Sequence, residues 1–147
     1  MFKKSLIAGL VLVLAACGHG PAAKDPTAEA WYPQAVAQLN QMNREAEKFY
    51  EAGKRDEAGA IIEKALPVQK KLVEVPRPTF EGVVAASDLD DLYGRMLLTN
   101  RHYGWARLLF QKNLNRWKHW EPQTDETRRR YKQALAEIDE CDKHIGE

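Results

Sequence analysis

The chain has little in its sequence that would identify a reaction. It contains two cysteines, and its 22 basic and 21 acidic residues leave a net charge of only +1. It has no helical His-Glu-x-x-His pattern, no nucleophile elbow around a serine and no Cys-x-x-Cys-His sequence. The usual sequence indications of a metalloprotease, a serine hydrolase and a c-type haem protein are therefore absent. The balanced charge gives no indication of a nucleic-acid partner.

Long apolar runs are also missing. The longest extends from Ser5 to Ala16, follows Lys3 and Lys4, and leads directly to Cys17. A run of this length is too short to cross a hydrocarbon core of roughly 30 Å as a stable helix. Its order of basic, apolar and small residues is instead typical of a secretory signal.

The end of this run, Leu14-Ala15-Ala16-Cys17, resembles the lipobox of bacterial lipoprotein signals. The resemblance implies that residues 1–16 are removed and that Cys17 is diacylated as the first residue of the mature protein. Gly18 replaces the aspartate that marks inner-membrane retention in enterobacterial lipoproteins, so the signal resembles the outer-membrane pattern. Without the signal, the chain has 20 basic and 21 acidic residues and a net charge of −1.

The mature chain divides into a short tether and one domain. Residues 17–26 combine the lipidated cysteine with glycine and proline and show no apolar periodicity, which predicts a flexible tether. Residues 27–147 are long enough to bury a single core. Apolar residues recur there at steps of three and four, and no segment shows the two-residue alternation of a strand. We therefore expect an all-α fold of about five helices in antiparallel hairpins.

The helix limits follow from caps and prolines. The first helix is expected over 27–53, and Pro67 predicts a kink or break in the second near Leu66. Proline residues 76 and 78 predict a loop over 74–86, after which Ser87 opens the third helix. The aspartates at 88, 90 and 91 are then interpreted as favourable charges in its first turn. The fourth helix, 102–117, is apolar on most sides and is expected to be central.

Two stretches resemble tetratricopeptide repeats. The first lies within residues 49–66 and the second within residues 94–114. In the first stretch, the residues at the family's spacings are Gly53, Ala58, Ile62 and Ala65. In the second stretch they are Gly94, Leu97, Tyr103, Ala106 and Phe110. The two copies are 48 residues apart, whereas this family repeats every 34 or so residues. The extra length is assigned to the loop before the third helix. The resemblance implies stacked hairpins with the last helix as a cap; an irregular helical bundle is the alternative.

A basic cluster is the strongest candidate for a partner surface. Residues 101–132 contain nine Lys or Arg against three acids, and the cluster consists of Arg116, Trp117, Arg128, Arg129 and Arg130. Arginine and tryptophan are enriched at interface hot spots, so this cluster is predicted to bind a partner. The alternative is a solvated helix end.

Cys141 and His144 are three residues apart on the last helix, a spacing that can present two ligands to zinc or copper. No second Cys/His pair completes such a site. Cys141 also falls on the apolar stripe with Ile138, so core packing explains it. We predict no metal site, no catalytic residues and no cofactor.

Taken together, the sequence predicts a non-catalytic envelope lipoprotein, expected at the outer membrane and facing the periplasm. It would contact the membrane through its lipid and bind or scaffold another envelope protein, without nucleic acid. Small tetratricopeptide-like lipoproteins often serve as accessory subunits of outer-membrane machines, which is what the resemblance implies here. The alternative is a small periplasmic enzyme or a metal or small-ligand carrier, and a concave pocket with converging buried polar groups would favour it.

The lipid anchor is directly testable. Cys17→Ser should abolish incorporation of labelled palmitate and release the protein from membranes, because two or more acyl chains hold a protein far more firmly than one. Membrane fractionation after a high-salt wash measures the effect, with Cys141→Ser as the matched control. Retention of the Cys17→Ser protein in the washed membrane fraction would contradict the anchor.

Overall fold

The computed structural model describes residues 24–145 and shows five helices. They are α1 (Trp31–Glu51), α2 (Arg55–Val73), α3 (Phe80–Thr99), α4 (Tyr103–His119) and α5 (Asp125–His144), preceded by a 3-10 turn at Pro26–Ala28. No strand occurs between residues 24 and 145, so the predicted all-α fold is confirmed. The signal segment, Cys17 and most of the tether lie outside the described residues.

The helices form two hairpins followed by a fifth helix. α1 packs against α2, and α3 packs against both of them as well as against α4, which in turn packs against α5. The most central helix is therefore α3, and the expectation that the fourth helix is central was wrong. α4 has two packed sides and one that faces solvent, where Trp105 and Leu108 are exposed.

The turns of the two hairpins have the same backbone structure. Gly53 ends the first with a φ of 73°, and Arg101 ends the second with a φ of 63°. In each turn, the amide of this left-handed residue donates to the carbonyl three residues back at 3.0 Å. The next amide donates to the carbonyl five residues back, at 2.9 Å in the first turn and 2.8 Å in the second. This pair of bonds defines a Schellman motif, and its two copies are 48 residues apart.

The same offset relates the packing positions of the two hairpins. Ala58 and Ala106 are both fully buried near the start of their second helix. The 48-residue unit is long because its helices are long, 21 residues in α1 and 19 in α2. The predicted loop of extra residues does not exist, since residues 74–79 alone connect the hairpins.

The start of α3 corrects several predictions. Its N-cap is Thr79, whose hydroxyl accepts a hydrogen bond from the amide of Gly82 at 3.1 Å. Ser87 is thus buried inside α3 and does not open it, and the aspartates at 88, 90 and 91 follow it in mid-helix.

The helix α2 continues through Pro67 to Val73, so the predicted break does not occur. Pro67 lies on the exposed side of α2, where the carbonyl that loses its partner can reach water.

Buried amide side chains fix α3 to its neighbours. Asparagine or glutamine side chains on α1, α2 and α4 donate to three consecutive carbonyls of α3 over 2.8–3.0 Å. The pairs are Asn43 with Ala85, Gln69 with Ala86, and Asn113 with Ser87. Each amide is almost fully buried, so losing its bond would leave a polar group without water or partner.

Gly94 provides a test of the close packing of α3 and α4. A Cβ added there would lie 2.5 Å from a ring carbon of Phe110. Gly94→Ala should therefore lower the free energy of unfolding by about 1–3 kcal/mol, measured by urea denaturation. Gly59→Ala is the matched control, because a Cβ there meets no atom within 4 Å. It should stabilise α2 by about 0.5–1 kcal/mol, and equal gains in both variants would refute the contact.

Candidate functional site

The aspartates of α3 bind the basic residues of α4 and α5. Asp90 is buried, and its carboxylate accepts from Lys112 at 3.0 Å and from Arg116 at 3.1 Å. The Arg116 side chain is only 13% exposed and also donates to Asn113. Two cations therefore compensate one buried carboxylate, and Arg116 belongs to the α3–α4 contact.

Arg130 and Trp117 are likewise packed into the interior. Arg130 donates to Asp88 and to Glu126, both at 2.6 Å, and its guanidinium carbon lies 5.4 Å from the centre of the Trp117 ring. Trp117 is buried and donates through Nε1 to the Ser87 hydroxyl at 2.9 Å. Both residues hold α5 and α4 against α3.

Arg128 and Arg129 are the exposed members of the predicted cluster. Arg128 pairs with Asp125 at 2.6 Å and Arg129 with Glu126 at 2.8 Å, all within the first turns of α5. Hydrogen bonds from Arg129 and then from Arg130 lower the pKa of Glu126 to about 2. The partner-binding hypothesis for the cluster stays a prediction, and these two arginines are the members that solvent can reach.

A polar cleft lies between α3, α4 and α5. Its volume is about 170 Å³, and its polar lining includes Asp88, Asp91, Arg130, Gln133 and Glu137. Pockets that enclose small organic ligands usually measure roughly 300–1,000 Å³. The cleft has the converging polar groups expected of a ligand site, but its volume suits a few water molecules.

Two carboxyl groups face each other across this cleft. Gln133 donates to Asp91 at 2.9 Å and to Oε1 of Glu137 at 3.1 Å. The other oxygen of Glu137 is buried and has no hydrogen-bond partner within the described chain. Burial, and then the neighbouring Asp91 carboxylate, raise the pKa of Glu137 to about 8. The protonated form of Glu137 has an O–H that can donate to a carboxylate, whereas the ionised form can only accept.

Cys141 is buried against Ala106, Phe110 and Ile138, as the core-packing prediction requires. Burial, and then the neighbouring Asp142, raise the pKa of its thiol. The His144 ring stacks on Tyr103, with 4.6 Å between ring centres. Among residues 24–145, no group of three or more His, Cys, Asp or Glu side chains is arranged to hold a metal ion.

An apolar groove of about 620 Å³ lies between α3 and α4. We call it the apolar groove; it is lined by Tyr93 and Leu97 of α3, by His102 at the N-cap of α4, and by Trp105, Leu108, Leu109 and Lys112 of α4. Its volume lies within the range of ligand and side-chain binding pockets. The sequence indicated this surface only indirectly, through the excess of apolar residues around α4.

Two large apolar side chains of the groove are left in solvent. Trp105 is 68% exposed and Leu108 is 57% exposed. The residues 48 positions earlier, at the same places on α2, are Glu57 and Ala60. The hairpin therefore forms without large apolar residues at these positions, and folding alone does not account for Trp105 and Leu108.

Comparison with known proteins finds no matching family model, no matching curated protein and no matching solved structure. Within residues 24–145, no helix combines the length and the apolar character needed to cross a membrane. The apolar groove and the polar cleft are thus the features on which a functional assignment must rest.

The carboxyl pair predicts a pH-dependent stability. Between about pH 4.5 and 8 the folded chain holds the Glu137 proton, whereas the unfolded chain has released it. The stabilisation that this proton gives the folded state is fully present below pH 4.5 and is lost as the pH rises towards 8. The reason is that the folded state binds more protons than the unfolded state in that interval. Glu137→Gln should remove much of the decline, measured by thermal melts at pH 5 and pH 8.

The control is Glu45→Gln, which changes an exposed glutamate on α1. It should keep the pH dependence of the original protein. An equal loss of stability between pH 5 and pH 8 in the Glu137→Gln protein and the original protein would contradict the protonated carboxyl pair.

Proposed function

We propose that this chain is a non-catalytic, lipid-anchored envelope protein that binds another protein through the apolar groove. The observation that carries the proposal is the exposure of Trp105 and Leu108 beside a cavity of about 620 Å³. Contiguous exposed apolar surface on a small domain usually marks an interaction site. The remaining sides of α4 are used for contacts with α3 and α5.

The cellular setting of the proposal rests on the sequence. The lipobox-like ending at Cys17 supports a lipid anchor, and Gly18 supports the outer membrane, with the domain facing the periplasm. The two hairpins with a shared 48-residue period support a repeat-like scaffold that offers grooves between helices. An accessory or scaffolding subunit of an envelope assembly combines these features.

A small-ligand carrier is the second candidate, and the polar cleft is the observation that favours it. Its converging groups include Asp91, Arg130 and Glu137. Most of them are already hydrogen-bonded to one another or to neighbouring helices. A cleft of about 170 Å³ with this internal pairing offers less to a ligand than the apolar groove offers to a protein.

In-cell photo-crosslinking tests the proposed function. A benzoylphenylalanine placed at Trp105 should crosslink a discrete protein in the cells that produce the chain. The matched control places it at Glu57, the equivalent position of α2, which is also exposed. Leu108→Ser should weaken the crosslink at position 105. Equal products at positions 105 and 57, or none at either, would count against protein binding through the groove.

A further inference from the structure

We propose that the partner element bound in the apolar groove is an amphipathic helix whose apolar stripe is flanked by acidic residues. The inference rests on the proposed function and specifies the chemistry of the partner. Three observations carry it: the shape of the groove, the placement of its apolar residues and the sign of the surrounding charge.

The shape favours a helix. The floor of the groove is formed by Tyr93 and Leu97 of α3, one helical turn apart, and its wall by Trp105, Leu108 and Leu109 of α4. Such a trough between two antiparallel helices can receive apolar side chains spaced three and four residues apart on a third helix. A flat bilayer would contact Trp105 and Leu108 on the rim but would not fill the recessed floor.

The charge around the groove favours an acidic partner. The helix α4 contains four Lys or Arg and no Asp or Glu. The groove lining within the described chain has no carboxylate, and it includes the basic residues His102 and Lys112. Arg101, exposed at the turn before α4, adds a further positive charge one helical turn before Trp105.

Part of the positive charge of α4 persists after internal pairing is counted. Arg107 is paired with Asp142 of α5 at 2.6 Å. Lys112 and Arg116 share the single buried carboxylate of Asp90, and the Lys112 side chain remains 46% exposed. Two cations and one carboxylate leave a net positive charge beside the apolar groove. Carboxylates that flank the partner's apolar stripe would meet this charge, which steers association and sets its salt dependence.

A peptide series tests the inference. The probe is a labelled helical peptide of about five turns with leucines along one stripe and glutamates beside them, and matched peptides carry glutamine or lysine in place of glutamate. We expect the glutamate peptide to bind the full-length protein at least about tenfold more tightly than the lysine peptide, by fluorescence anisotropy. Its advantage should shrink at high salt, because exposed charges are screened.

Protein variants locate the binding site. Trp105→Ala combined with Leu108→Ser should weaken binding of the glutamate peptide by about tenfold or more, since both side chains contribute apolar contact. Both residues are exposed, so the fold should survive, and circular dichroism checks it. Leu135→Ser is the matched control because Leu135 is 40% exposed on α5, outside the groove, and it should leave binding unchanged.

Each outcome decides between partners. Equal or tighter binding of the lysine peptide, or no binding of any peptide, would overturn the acidic-helix inference. Dimerisation that depends on Leu108 would assign the groove to a second copy, and binding to anionic phospholipid vesicles through Trp105 and Leu108 would assign it to a lipid surface. Either result also overturns the inference. If the peptides fail while the crosslink at position 105 remains, the proposed function stands and the acidic helix is rejected.

Discussion

Three consecutive carbonyl groups of α3, on residues 85–87, hold the hairpins together. Consecutive carbonyls of a helix lie about 100° apart around its axis, and each has a second lone pair after its own helical bond is made. Amide side chains can therefore approach from three sides, and those of Asn43, Gln69 and Asn113 do so from α1, α2 and α4. Small residues on this part of α3, such as Ala85 and Ala86, let the neighbouring helices come close enough for these bonds. Burial of the amides fixes the register, because a shifted helix would leave them unpaired.

The acidic middle of α3 determines which surfaces remain for function. Asp88 and Asp90 bind Arg130 and Arg116, and these bonds fix α4 and α5 on α3. Arg116, Trp117 and Arg130 of the basic cluster thus make contacts within the fold. Trp105 and Leu108 of α4 are left exposed beside these contacts. The same helix therefore carries ion pairs to its neighbours and an exposed apolar surface next to them.

Much of the fold could be predicted because its helices have strong local signals. The spacing of apolar residues indicated about five helices, and the first was expected to end at residue 53, where Gly53 forms the turn. The start of α3 could not be predicted, since residues 82–87 are mostly small and carry no apolar period, and prolines precede them. The roles of Arg116 and Arg130 were equally hidden, because their partners lie 26 and 42 residues away in the sequence. Tertiary ion pairs of this kind leave no local pattern.

The strongest argument for a role of the apolar groove comes from the internal period of 48 residues. The two hairpins share a turn, a buried alanine and similar helix limits at an offset of 48 residues, so each hairpin is a physical control for the other. Positions that both need for packing carry similar residues, as Ala58 and Ala106 do. Where equivalent positions of the two hairpins carry different kinds of residue, the fold does not require either kind. Glu57 in α2 corresponds to Trp105 in α4, and both are exposed. An exposed tryptophan adds little to the stability of its own hairpin, and this difference between the hairpins is what supports the proposed contact with another molecule.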